Sequence, residues 1–149
     1  MKVSISLLNQ DPEEQEFDEI LKRNPRTIIY FYPKDNTPGC SIEAKDFSDA
    51  YILFMQHHIS VYGVSKDSDT SHCNFISKYG LSIPLISDPD LILHKKFGAW
   101  WEKNMYGKKI QWTIRSTFLL DQDGNSIKER PNVKAEGHVA KIIEELALK

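Results

Sequence analysis

Hydrophobic positions in this chain come in short runs, and their period changes along its length. Residues 27–32, TIIYFY, make an unbroken β-branched and aromatic run suited to a strand buried on both faces, and Pro33 ends it. KDNTPGC then reads as a loop. From Ser41 there is no proline or glycine until Gly63, and Phe47, Tyr51, Phe54 and Met55 fall at helical spacing, so a helix begins close to Cys40. Residues 59–64 read as the next strand. Asp67 and Ser68 are placed to cap a helix running to Tyr79, and Gly80 stands where it should stop. A third strand-like run, residues 83–87, precedes Asp88-Pro89, which starts a short helix toward Phe97.

Beyond that point the pattern resembles a hairpin: aromatic and β-branched residues from Trp100 to Trp112 break near Tyr106-Gly107, and TIRSTFLL follows at 113–120. DQDGN at 121–125 is a turn before SIKE. In residues 138–148, Val139, Ile142, Ile143 and Leu146 share one face of a closing helix. The order β-α-β-α-β-α, hairpin, helix predicts an α/β chain, a mixed central sheet flanked by helices in the outline of a thioredoxin-like fold.

Composition narrows the function classes. The 149 residues suit a single domain over 1–149, and no repeat or linker-like stretch marks a boundary. Nineteen basic and twenty-one acidic side chains give a net charge of -2, with no basic run to neutralise a row of phosphates, which argues against a nucleic-acid partner. No apolar run approaches the roughly twenty residues of a membrane span, so no membrane role is expected. The start, MKVSISLLNQDPEEQ, lacks the parts of a secretory signal, and a cytoplasmic location follows as the expectation.

Two cysteines, Cys40 and Cys73, are too few for a disulfide framework or a four-ligand zinc site. Cys40 stands at the predicted helix start, where free backbone N–H groups and the helix dipole favour a nucleophilic thiolate. The other reading, a small buried hydrophobe, remains open on position alone. A peroxide-cleaving site needs a thiolate and fixed donors for the departing oxygen. The Thr37 hydroxyl and the backbone N–H groups of Gly39 and Cys40 are placed to line such a pocket, with Pro38 shielding the sulfur; Thr37 also fits an ordinary turn. Arg115, inside the apolar run IRSTFLL, calls for a fixed anionic partner, unless the strand is an edge and the side chain points to solvent.

YFYPKDNTPGCSIEAKDF resembles the active-site segment of peroxiredoxins, in which proline, three residues, threonine, two residues and cysteine correspond to Pro33, Thr37 and Cys40. SKYGLSIPLISDPD and MYGKKIQWTIRSTFLLDQDG resemble the subfamily called bacterioferritin comigratory protein, or peroxiredoxin Q. The similarity runs over about residues 26–146. It implies that Cys40 is the peroxidatic cysteine, that Thr37 and Arg115 complete its pocket, and that Pro33 and Pro38 shape the loop. Glu43 matches the family's acidic position and would hold the arginine. The implied substrates are hydrogen peroxide and organic hydroperoxides, with a sulfenic acid resolved by a second thiol and recycled by thioredoxin or a similar reductant. No metal or organic cofactor is implied, and the subfamily favours a monomer.

One departure matters. Many members carry the resolving cysteine five residues after the first, where this chain has Lys45. Other members place it on the helix after the next strand, and Cys73 lies there, at the margin of the stripe formed by Phe75, Ile76 and Tyr79. Two cysteines on these separate helices are not expected to meet the roughly 4.4–6.8 Å Cα separation of a disulfide in the reduced fold, so an intramolecular Cys40–Cys73 bond predicts local unwinding. The alternative is a one-cysteine cycle closed by an external thiol. His72 is expected to pack at the helix surface, the tryptophans to pack the hairpin, and His57, His58, His94 and His138 receive no role. Two other classes remain: a disulfide oxidoreductase, disfavoured because residue 37 is threonine rather than cysteine, and a binding or chaperone protein without turnover.

Overall fold

The computed structural model describes residues 1–131 and 133–148. The predicted strand at 27–32 is β3 (Arg26–Phe31), and its partner is β4 (Ile59–Ser65); both are buried nearly throughout, as a doubly covered strand requires. β3 and β4 run parallel, β4 runs parallel to β5 (Leu85–Ser87), and β8 (Ser116–Leu120) lies antiparallel on the other side of β3. Adding β1 (Lys2–Ser6), β2 (Glu13–Glu16) and β9 (Ser126–Arg130) gives a seven-stranded sheet in the order β2-β1-β5-β4-β3-β8-β9. The mixed sheet and flanking helices match the thioredoxin-like expectation.

Two apolar layers cover the sheet. One holds Tyr30, Phe47, Phe54, Phe75 and Ile142 beneath the helices α2 (Pro38–Gln56), α3 (Asp69–Tyr79) and α5 (His138–Glu145). The other gathers Phe17, Phe31, Leu93 and Phe118 under α1 (Phe17–Leu21) and α4 (Ile92–Lys96). Tyr30 stacks on Phe47 with ring centroids 4.3 Å apart, which seats α2 over the end of β3. Gly63 of β4 is demanded by this packing: a Cβ there would lie 2.7 Å from both Leu85 Cδ2 and the Tyr30 hydroxyl.

The ends of α3 follow the sequence reading. Ser68 accepts from Ser71 N at 3.2 Å as the N-cap, and Gly80 ends the helix at φ 59°. Asp67 does not cap; it accepts from Asp35 N at 2.8 Å.

Other expectations shift. The helix after Asp88-Pro89 begins only at Ile92, and the Asp88 carboxylate accepts from the backbone N–H groups of Leu93 and His94. Met55 lies outside the buried stripe of α2 and is 39% exposed. β6 (Trp100–Met105) and β7 (Lys108–Thr113) form the expected hairpin as a separate sheet, with Trp101 and Trp112 stacked 3.7 Å apart across it. The run at 113–120 is not one strand: it breaks at Ile114 and Arg115, where Ile114 N donates to Ala99 O and Val133 N donates to Arg115 O.

Candidate active site

Thr37 is the N-cap of α2 in extended conformation, so Pro38, Gly39 and Cys40 are its first three helical residues. Proline at the first position costs no hydrogen bond, because that N–H has no intrahelical acceptor. The N–H groups of Gly39 and Cys40 belong to the same unsatisfied first turn, and the positive end of a 19-residue helix points at the sulfur. Half-buried Pro33, two residues beyond β3, turns the chain into the loop that carries Thr37.

Cys40 is 1% exposed, and its neighbour in the buried site is a cation. Arg115 donates from Nη2 to Cys40 Sγ at 3.2 Å and from Nη1 to Glu43 Oε1 at 2.7 Å. Glu43 lies three residues beyond Cys40, on the same face of α2. The anionic partner expected for Arg115 is present, but the arginine sits in the break between β7 and β8 rather than inside a strand. That break frees its side chain to reach the helix start. The guanidinium packs directly on this first turn: a Cβ at Gly39 would stand in ordinary contact, 3.4 Å from Nη2 and 3.6 Å from Ala135 Cβ.

The two charges respond differently to their surroundings. Burial pushes the Glu43 carboxyl up to about 7 against the pull of Arg115. Burial also works against the Arg115 charge, but Glu43 and Cys40 outweigh it and hold the guanidinium above its ordinary value. The difference follows from access to solvent: the Glu43 side chain is fully buried, while 17% of the Arg115 side chain is exposed. Glu43 Oε2 is buried with no hydrogen-bond partner among the described residues.

Thr37 is three residues before the cysteine at the N-cap, and its hydroxyl donates to the Lys34 carbonyl at 3.0 Å. With its proton committed to that carbonyl, the hydroxyl oxygen is left as an acceptor. Cys73 is half-buried on α3, at the margin that the helical spacing predicted, and the two cysteines are unbonded on separate helices. The structure thus gathers Gly39, Cys40, Glu43 and Arg115, with Thr37 and Pro38 at the rim, and leaves Cys73 on another element.

The surface-packing expectation for His72 is corrected. His72 is fully buried, with Nδ1 2.7 Å from Asp35 Oδ2 and Nε2 3.0 Å from Ile86 O. Asp35, also passed over in the sequence, accepts from Tyr32 Oη at 2.6 Å and Ser71 Oγ at 2.8 Å. Asn36 next to it accepts from Lys78 Nζ and Tyr79 Oη. His94 and His138 are buried as well, His138 with Nε2 2.7 Å from Thr117 Oγ1. The helical pattern gave no sign of the partners of His72 and His138, which lie 14 to 37 residues away in the chain. Among the described residues, no group of three or more His, Cys, Asp or Glu is placed to hold a metal ion, and no helix is long and apolar enough to cross a membrane.

Comparison with known proteins converges on one family. The AhpC/TSA family profile matches residues 2–128. Peroxiredoxin Bcp of Xanthomonas campestris is 44% identical over 116 residues, covering 78% of this chain and 72% of that protein. Peroxiredoxin Bcp of Bacillus subtilis is 41% identical over 119 residues, 80% of this chain and 76% of its own. Among solved structures, the Xanthomonas campestris bacterioferritin comigratory protein, described for its alkyl peroxide reduction activity, superposes with a TM-score of 0.88 at 36% identity, covering 99% of this chain and 90% of that one. With family profile, sequence identity and fold in agreement, the chain belongs to the AhpC/TSA family and is a peroxiredoxin of the bacterioferritin comigratory protein, or peroxiredoxin Q, branch.

Proposed function

We propose that this peroxiredoxin reduces hydrogen peroxide and organic hydroperoxides through Cys40, with Arg115, Thr37 and the first N–H groups of α2 as its pocket. The observation that carries the proposal is the guanidinium that donates to the Cys40 sulfur while Glu43 holds it. A cation and a helix N-terminus stabilise the thiolate before reaction, and the same donors meet the negative charge that grows on the peroxide oxygens during it. The thiolate attacks the nearer oxygen and the O–O bond breaks. The departing oxygen leaves with a proton as water or alcohol, and Cys40 becomes a sulfenic acid. The alkyl peroxide activity of the Xanthomonas campestris relative supports organic substrates.

In the second stage the Cys73 thiolate attacks the Cys40 sulfenic sulfur, water leaves, and a Cys40–Cys73 disulfide forms, which thioredoxin or a similar dithiol reduces. Because the cysteines occupy separate helices, this stage requires the start of α2, and part of α3, to unwind. The enzyme acts as a monomer in the cytoplasm, where free thiols persist. A one-cysteine cycle, in which an external thiol resolves Cys40 directly, draws its support from the extensive ties that keep the Cys40 loop on α3.

Peroxide consumption in the presence of thioredoxin, its reductase and NADPH tests the proposal. The wild type should turn over, Cys40→Ser should be inactive, and Cys73→Ser should react once and then stall. Activity surviving in Cys40→Ser refutes the assignment. Full turnover by Cys73→Ser with thioredoxin refutes the disulfide stage and leaves the one-cysteine cycle.

A further inference from the structure

The loop between β3 and α2 is held less by its own residues than by α3. Asp35 N donates to Asp67 Oδ2, just before α3, and the Asp35 carboxylate accepts from Ser71 and meets His72 at 2.7 Å. Asn36, in left-handed conformation at φ 60°, is bonded by Lys78 and Tyr79 from the last turn of α3. α3 in turn has its own anchors on the sheet, His72 Nε2 to Ile86 O of β5 and Ser4 Oγ of β1 to Asp69 Oδ2. The Cys40 loop therefore rides on α3, and the Asp35–His72 contact is its buried core.

That contact demands two protons. Both ring nitrogens of His72 face oxygens that only accept or share, the Ile86 carbonyl and the Asp35 carboxylate. A buried imidazolium against a carboxylate, or a neutral ring against a carboxylic acid, satisfies both. An asparagine in place of Asp35 offers the ring only a neutral amide hydrogen bond, so the charge-assisted contact is lost although the shape is kept.

We propose that Asp35 and His72 form a clasp that holds the Cys40 loop on α3, and that the strength of this clasp decides whether oxidised Cys40 is captured by Cys73 or oxidised again by a second peroxide. The clasp is a positioning device that rests on the resolving role of Cys73. While it is closed, the Cys40 sulfenate stays beside Arg115, where a second hydroperoxide converts it to the sulfinate and leaves as water or alcohol. When it opens, the Cys73 thiolate reaches the sulfenic sulfur, the S–S bond forms and water is released. His72 neighbours Cys73 in the chain, so the contact that holds the Cys40 loop stands next to the half-buried resolving thiol on α3.

The test uses the full-length reduced protein and Asp35→Asn, with Ser71→Ala as a milder variant that keeps the carboxylate. Hydrogen exchange of residues 34–42 reads the clasp directly, and the sulfinic-to-disulfide ratio after a large excess of hydrogen peroxide reads its consequence. Asp35→Asn should speed exchange of this segment by about 10- to 100-fold and lower the ratio by a similar factor; Ser71→Ala should do both by about 2- to 10-fold. Exchange in β3 and β4 should stay unchanged, which separates a local release from general loss of stability. Unchanged exchange at 34–42, or a ratio that stays level or rises, overturns the proposal. Absence of any Cys40–Cys73 disulfide in the wild type refutes the resolving role of Cys73 alone, because the exchange measurement still decides whether the clasp exists. Should Asp35→Asn fail to fold, Ser71→Ala carries the same two readouts.

Discussion

Arg115 and Cys40, 75 residues apart in the chain, meet at 3.2 Å between Nη2 and Sγ. The meeting depends on two features far from each other. α2 starts at Pro38 and brings the sulfur to its N-terminus, and the strand pairing breaks at residues 114–115 so that the arginine can turn inward.

Arg115 uses two separate nitrogens for Cys40 and Glu43, a geometry that a single ammonium does not reproduce. Arg115→Lys should therefore slow the first oxidation step by about 10- to 100-fold, the worth of one lost charge-assisted hydrogen bond. Stopped-flow tryptophan fluorescence with hydrogen peroxide measures that step. A rate within twofold of the wild type would show that the guanidinium does not act on the sulfur.

Glu43 supplies a pH signature. Its folded carboxyl is pushed from 4.5 to about 7, so the protonated form favours the fold, and stability present below pH 4.5 is lost as the pH rises through 7. The loss amounts to at most about 3 kcal/mol. Glu43→Gln mimics the protonated group and should remove this slope. Urea unfolding across pH 4.5–8 should show the variant gaining on the wild type as the pH rises, and a constant difference would contradict the burial of an ionisable carboxyl.

His138 acts with the opposite sign. Burial first, with Arg115 among the cations assisting, lowers it from 6.5 to about 4, so it favours the fold above pH 6.5 and that contribution fades as the pH falls toward 4. His138→Gln should flatten acid destabilisation in that window. The same urea series checks it, and an unaltered acid limb would show that His138 is freely protonated in the fold.

Gly63→Ala should destabilise the protein by about 1–3 kcal/mol through overpacking. The added Cβ has nowhere to go between Leu85 and Tyr30, each 2.7 Å away. Because Tyr30 stacks on Phe47 of α2, the loss should appear both in the thermal midpoint and in faster hydrogen exchange along α2. An unchanged midpoint would mean that the β4 backbone shifts freely.

Much of this was legible in residue order. The strand at 27–32 and the helix that follows are local consequences of hydrophobic period, and a cysteine just after Thr-Pro-Gly announces a helix start. Elements too polar or too short to show a hydrophobic period were not legible. β2 is Glu-Glu-Gln-Glu, an edge strand paired with β1, and α1 is five residues long. The Arg115 break was hidden because backbone bonds from Ile114 to Ala99 and from Val133 to Arg115, not local composition, interrupt an otherwise strand-like run. Asp35 and His72 escaped for the same reason: each looks like a polar surface residue until the fold brings 37 residues of separation to 2.7 Å.

The most direct measurement is a peptide map of both cysteines after one equivalent of hydrogen peroxide, quenched by alkylation at successive times. Loss of the Cys40 thiol should come first, with one oxygen on that residue, followed by a Cys40–Cys73 linked peptide. A Cys40 that stays fully alkylatable while peroxide disappears, or while oxygen accumulates only on Cys73 or methionine, would contradict the assignment of Cys40 as the attacking residue.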